Sequence, residues 1–418
     1  MGDRERRPVR AESGFTLIEL LVTLGLLVVL IIALLTMFDF SSRTARTQMH
    51  VTEMQQSQRV AQQTVVKAVR MAGRGGLPTW DGAMTLPAGK AIAIADNVAA
   101  DTLVAGDADA PVLEGTDVVT VRGIFDSPVY QHDPIAGDFI YDTADGTGSL
   151  VLRTLTSTGV RQPLGAMKDA LDRANAGGPG DEPEALFVMS PLGEYAVFEI
   201  TGGSSDTSSG EINSVSIVFS SAGALGTEYT ALSQGGVVSP TLTTVAYAGI
   251  LEEYRYYVRA LRAVPGDDTS ELMPQLARAR VYPNTDVPWG REASRLTEVV
   301  ADNVLDLQVA IGVDTDGDEA ILESSPGGVT FAADEWLFNH GTDDPTEARW
   351  NTAGNPLFYV RISTIVQTDR PEPYYAGGEL TSVENKDYTV SPFDAYNTGT
   401  QLRYHRRQLQ TIVDLRNL

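Results

Sequence analysis

A chain of 418 residues, 43% hydrophobic and 21% charged, holds enough apolar material for a large buried core and lacks the composition of a disordered protein. Its net charge of −24 repels phosphate backbones, so no nucleic-acid partner is expected. With no cysteine, disulfides, thiolate metal sites and cysteine nucleophiles are excluded. The four histidines are scattered, and there is no phosphate-binding loop, paired-histidine zinc motif or serine nucleophile elbow. A chain that is not an enzyme and requires no cofactor is the expectation.

Residues 1–14 carry Arg4, Arg6, Arg7 and Arg10 against Asp3, Glu5 and Glu12. Gly14-Phe15-Thr16-Leu17-Ile18-Glu19 then opens the only long apolar run, and residues 20–38 hold no charge. As a helix, residues 15–38 would rise about 36 Å, enough for a hydrocarbon layer of roughly 30 Å. Arginines before the run favour an N-terminus inside and the bulk of the chain outside. A secretory signal peptide fits badly, because the stretch is too long and lacks a small-x-small site at its end. Glu19 is one carboxylate inside a membrane-length segment, costly unless a partner neutralises it.

From residue 39 the chain turns polar without a breaker. Val51, Met54, Ala61, Val65, Ala68 and Ala72 step by 3, 7, 4, 3 and 4 residues and so share a helical face, with Gln, Arg, Thr and Lys assigned to the opposite side. Gly73-Arg74-Gly75-Gly76-Leu77-Pro78 stops the helix. Residues 15–72 would make one helix of about 87 Å.

The remainder reads as β-rich. Residues 117–123, 195–201 and 213–219 alternate or run apolar at strand length. Residues 251–263 and 275–282 flank Pro265-Gly266-Asp267-Asp268 as a hairpin would, 299–313 and 357–367 are further strands, and 402–415 closes the sheet. Segments 131–183, 202–212, 314–356 and 370–400 read as loop insertions rich in Gly, Asp, Ser and Pro. No internal repeat or strong linker divides the part after residue 72, so a single elaborated domain over 73–418 is expected.

Two clusters stand out there. Asp314-Thr315-Asp316-Gly317-Asp318 places carboxylates at alternate positions, with Glu319 and Glu323 close by, and such oxygens can wrap calcium. The match to an EF-hand is poor, with glycine at the fourth position and Ser325 at the twelfth, so a solvated acidic turn is the plainer reading. Arg403, His405, Arg406 and Arg407 form a dense basic cluster, read as a charged strand edge or as partners for nearby acids, with docking of an acidic neighbour as the functional alternative. Tyr254, Tyr256 and Tyr257 are assigned to sheet packing.

Gly-Phe-Thr-Leu-Ile-Glu at the end of a basic leader resembles the cleavage motif of type IV pilins and type II secretion pseudopilins. The resemblance implies that a prepilin peptidase/methylase cuts between Gly14 and Phe15 and methylates the Phe15 amine. Glu19 would then neutralise the N-terminal ammonium of a neighbouring subunit during assembly. The domains so implied are a leader over 1–14 that is removed, an N-terminal helix over 15–72 (15–38 for membrane and fibre core, 39–72 amphipathic) and a pilin head over 73–418. Its fold class is α+β, a type IV pilin-like ladle with a long N-terminal helix packed on an antiparallel-sheet head carrying large loop insertions. Where many major pilins have a kinking proline, this chain has Thr36, so helix melting on assembly is less supported.

Scattered segments over nearly the whole length resemble PilW-type minor pilins. They are Gln58-Arg59, Ala68-Val69-Arg70-Met71-Ala72-Gly73, residues 115–121 from Gly115-Thr116-Asp117, residues 253–259 from Glu253-Tyr254-Arg255, residues 302–308 from Asp302-Asn303-Val304 running into 312–318, and Arg406-Arg407 with Leu415-Arg416-Asn417. This implies a low-abundance subunit that starts in the inner membrane and then sits at the tip of the extracellular pilus. Its partners would be other minor pilins, the major pilin and a large PilY-type tip adhesin. A J-type pseudopilin of type II secretion, and an adhesin binding surface ligands through its own head loops, are the alternatives.

Overall fold

The computed structural model describes residues 16–79, 88–99, 102–104, 111–135, 137–176, 183–264, 270–291, 297–318, 320–323, 334–341, 343–351 and 357–415. The chain divides into two compact units, Met1–Glu53 and Met54–Leu418. Helix α1 is continuous over Leu17–Met71, passing Gly25 and Thr36 without interruption, as expected where no proline lies between Phe15 and Pro78. In the first unit its side chains from Leu17 to Phe40 are exposed, including Leu20, Leu24, Ile31 and Phe38, and the helix is long and apolar enough to cross a membrane.

In the second unit α1 buries Met54, Gln58, Ala61, Gln62, Val65, Val66, Ala68 and Val69. The expected apolar face is present, but two glutamines assigned to the polar side share it. They lie at i+4 steps from Met54, which puts them on the same stripe. Each makes its burial good with hydrogen bonds: Gln58 Nε2 donates to the Arg407 carbonyl at 3.1 Å, Gln62 Nε2 donates to the Ile362 carbonyl at 2.9 Å, and Thr364 Oγ1 donates to Gln62 Oε1 at 2.8 Å. The helix stops at Gly73, whose φ is +74° and where a Cβ would meet the Leu77 carbonyl oxygen at 2.5 Å.

The strands follow in chain order: β1 (Ile92–Ala95), β2 (Val118–Gly123), β3 (Tyr130–Gln131), β4 (Phe139–Asp142), β5 (Thr147–Arg153), then helix α2 (Gly165–Ala174), β6 (Ala185–Met189), β7 (Tyr195–Asp206), β8 (Ser214–Ser220) and the short α3 (Gly226–Thr230). After them come β9 (Tyr247–Arg262), β10 (Leu272–Val281), β11 (Thr297–Asp302), β12 (Val304–Val313), β13 (Trp336–Leu337), β14 (Leu357–Gln367), β15 (Ser382–Val383), β16 (Lys386–Asp387) and β17 (Arg406–Asp414). Among the described residues, eleven strands join in one antiparallel sheet along β1-β2-β9-β6-β7-β8-β5-β4, with β3 and β10 also on β9 and β11 on β10. A second sheet runs β13-β12-β14-β17, and β15 and β16 form a separate hairpin. The protein is thus α+β, a long N-terminal apolar helix with a large antiparallel-sheet head, consistent with a type IV pilin-like fold.

Strand β9 organises the larger sheet, its first half pairing β6 and β3 and its second half pairing β2 and β10. Its hairpin with β10 sets Arg262 opposite Leu272, and the expected turn at Pro265–Asp268 lies outside the described residues. The expected strand over 299–313 is two, β11 and β12, parted at Asn303 with φ +60°. Segment 131–183, read as a loop insertion, contains β4, β5 and α2. Met167, Ala170 and Leu171 of α2 pack with Phe198, Ile200, Ile217 and Phe219 in one core cluster of the head. Segment 202–212 is likewise strand as far as Asp206, and β17 closes the smaller sheet beside β14 as expected.

Candidate functional site: the N-terminal helix cap and the polar clusters of the head

Gly14 and Phe15, the expected cleavage and methylation pair, lie outside the described residues. Glu19 does not. Its Oε2 accepts the Thr16 backbone N–H at 3.0 Å and the Thr16 hydroxyl at 2.9 Å, while its own N–H donates to Thr16 Oγ1 at 3.3 Å. Thr-x-x-Glu is a reciprocal capping box, which satisfies donors that the first helical turn leaves open. Glu19 Oε1 has no hydrogen-bond partner among the described residues. The sequence already held this signal in the three-residue spacing of Thr16 and Glu19.

Asp314, Asp316 and Asp318 come together, with carboxylate oxygens within 4.8 Å of one another. Asp314 is buried and its Oδ1 accepts the Gly317 N–H at 2.6 Å; Asp316 Oδ1 accepts the Asp318 N–H at 3.1 Å, and Asp318 Oδ1 accepts the Ala320 N–H at 2.8 Å. This is a turn whose carboxylates cap their own backbone. The set can take a hard cation on its remaining oxygens. Glu323 is not part of it, being paired with Arg361 at 2.8 Å, and Glu319 lies outside the described residues.

Half of the basic cluster is used internally, His405 and Arg406, while Arg403 and Arg407 are exposed. His405 Nε2 is 2.8 Å from Glu372 Oε2 and its ring stacks 3.7 Å from Tyr375; Arg406 donates to the Tyr396 carbonyl at 2.8 Å. Tyr256 and Tyr257 are buried in the sheet, while Tyr254 lies beneath the Arg278 guanidinium at 4.8 Å.

Two polar regions escaped sequence reading. Glu252 in β9 is buried, its Oε1 is 2.6 Å from Arg280 and its Oε2 accepts the N–H groups of Phe125 and Asp126 at 2.9 and 2.7 Å. Burial outweighs Arg280 and pushes its pKa up to about 7. Arg280 lies 3.9 Å over the Trp289 ring, and these residues with Arg173, Asp126 and Ser127 line a cavity of about 180 Å³. In the second region Asp306 is held by Lys386 Nζ at 3.4 Å and by the Tyr388 hydroxyl. Asp117 accepts the N–H groups of Asn97 and Val309 at 2.8 and 2.7 Å, close to Asp96. Several of their partners lie 80 to 192 positions away in sequence, which hid them.

Residues 9–35 match the family description "prokaryotic N-terminal methylation motif". No curated protein and no solved structure matches the chain. The matched segment spans Gly14, Phe15, the Thr16–Glu19 cap and the apolar first half of α1. The chain therefore carries the N-terminal methylation signal of type IV pilin-like and pseudopilin proteins, a signal that implies processing by a prepilin peptidase and assembly with other pilins.

Proposed function

We propose that this chain is a PilW-type minor pilin that joins a priming complex at the fibre tip, helps start pilus assembly and presents a large PilY-type adhesin. The observation that carries the reading is the methylation motif on an apolar helix followed by a compact unit as large as Met54–Leu418. A head of this size suits a low-copy terminal position better than the repeated lattice of a fibre shaft.

In this reading the leader over 1–14 orients insertion in the inner membrane and is cut after Gly14. The apolar half of α1 then moves from bilayer to fibre core, and neither environment exposes it to water, so the transfer has no large hydrophobic cost. Glu19 keeps Oε2 for the Thr16 cap and offers Oε1 to the methylated ammonium of a neighbouring subunit. That pairing neutralises both charges in a medium where neither is stable alone. The head over 73–418 contacts the other minor pilins, and no step requires a cofactor.

Deletion of the gene, scored for surface fibres and followed by affinity isolation of the full-length protein from detergent-solubilised membranes, tests this. Loss of surface pili with co-isolation of other minor pilins and a large adhesin is expected. Normal piliation with a defect in protein secretion would overturn the reading in favour of a J-type pseudopilin.

A further inference from the structure

Lys386 and Asp306 are buried against each other. Lys386 opens β16 and Asp306 lies in β12, with side-chain exposures of 1% and 0%. Lys386 Nζ stands 3.4 Å from Asp306 Oδ1, longer than the roughly 2.7–2.9 Å of a tight ammonium–carboxylate pair. An ammonium carries three donors, yet among the described residues this oxygen is the one hydrogen-bond acceptor of Nζ. Its other neighbours are the Phe393 and Tyr388 rings, with centroids at 4.6 and 5.0 Å. A low-dielectric interior penalises both charges, and a single long hydrogen bond repays little of that.

The Asp306 carboxyl is polarised by its neighbours. Oδ2 accepts the Tyr388 hydroxyl, and Oδ1 accepts Gln308 Nε2 at 3.0 Å. Burial, with the Asp306 charge beside it, holds the Tyr388 pKa well above its ordinary value, so the hydroxyl stays a donor. Gln308 Oε1, on the same carboxamide that touches Oδ1, is buried without a hydrogen-bond partner. An ion pair leaves that acceptor idle, whereas an amide N–H formed at Nζ would supply its missing donor.

We propose that Lys386 and Asp306 condense to an isopeptide bond that ties the β15–β16 hairpin covalently to β12. One proton passes from the ammonium to Oδ1, leaving an amine and a carboxylic acid. The Nζ lone pair then attacks Cγ, and the charge developing on Oδ2 is held by the Tyr388 hydroxyl. A second proton moves from Nζ to Oδ1, the Cγ–Oδ1 bond breaks, and the carbonyl re-forms at Oδ2 as water leaves. Nothing is oxidised or reduced, and no co-reactant is needed. The fold holds both groups together, so a bimolecular encounter becomes an intramolecular step. Lys386 and Phe393 line a cavity of about 350 Å³, which gives the water an exit. The product also removes two charges from the interior.

The test is the intact mass of the full-length protein, purified in detergent and then denatured, followed by trypsin digestion. The wild type is expected to fall one water short of the mass given by its sequence and its observed N-terminus. Trypsin should leave the bond after Lys386 uncut and release a branched peptide that holds both Asp306 and Lys386. Lys386→Arg keeps the charge but has no amine to condense, and should regain the full mass. Tyr388→Phe should yield a mixture of linked and unlinked chains; complete linkage there would overturn the step assigned to the hydroxyl. The wild-type measurement stands whether or not a variant folds. A wild type of full mass, a water lost while trypsin still cuts after Lys386, or a deficit kept in Lys386→Arg would overturn the proposal.

Discussion

Glu252 is a carboxyl placed where burial disfavours its charge more than Arg280 favours it, so its proton is held until about pH 7. In an unfolded chain the same group ionises near 4.5. Between those values the unfolded state gives up its proton while the folded state keeps one, so this group's contribution to stability is greatest below pH 4.5 and falls as pH rises towards 7. The loss is of the order of 1–3 kcal/mol. Glu252→Gln should flatten the pH dependence of Tm over pH 5–8; an unaltered slope would remove Glu252 as its source. Two further residues bear on assembly. Gly14→Ala should leave the leader attached, and sequencing a mature N-terminus at Phe15 in that variant would refute the assigned cut. Glu19→Ala should still be processed but co-isolate fewer partner pilins. Undiminished recruitment would show that Glu19 serves only the Thr16 cap.

At the scale of elements, α1 is fastened to the smaller sheet by side-chain amides as well as by apolar contact. Gln62 bonds both Ile362 and Thr364 on β14, so Gln62→Ala leaves a buried carbonyl and hydroxyl without that partner and should cost about 2–4 kcal/mol. Chemical denaturation of the variant against the wild type measures it; a loss below 1 kcal/mol would mean the groups find other partners. The register of elements also shows what was legible in sequence. Residues 357–367 run apolar and β-branched at strand length and are β14 without revision. The apolar run of α1 was equally plain, whereas the Thr16–Glu19 capping spacing, though present in the sequence, went unread beside the membrane-length segment. Strands β4 and β5 were missed because Gly146, Gly148 and four acids and threonines around them look like turn chemistry, while α2 offers only three buried residues in ten. Gln58 and Gln62 were misassigned because polarity outweighed spacing. The contact between Asp96 and Asn385 could not be read at all, since the two are 289 positions apart. Tertiary pairing of that kind leaves no local pattern.

At the scale of the whole molecule, Met54–Leu418 has its own cores and, among the described residues, two larger sheets and a separate two-stranded hairpin, and its link to the first unit is helical backbone. A fragment beginning just before Met54 should therefore stay in solution and melt in one cooperative transition, because it keeps the Gln58 and Gln62 contacts and drops the exposed apolar half of α1. Calorimetry checks this. Aggregation or a broad, non-cooperative melt would show that the head depends on the first unit. The net charge of −24 should also make the fragment's Tm rise with salt, as self-repulsion is screened.

The amide bonds from Gln58 to Arg407 and from Gln62 to Ile362 have a mechanical meaning. A fibre subunit pulled by its N-terminal helix must hand that tension to its head, and these bonds fix where the load enters: strands β14 and β17, paired over nine residues from Tyr359–Asp414 to Gln367–Arg406. Antiparallel strands loaded along their length fail by shearing many bonds together, whereas strands peeled from an end fail one bond at a time. Gln62→Ala should lower the rupture force of the full-length protein held by its N-terminus in optical tweezers. An unchanged force would place the load path elsewhere.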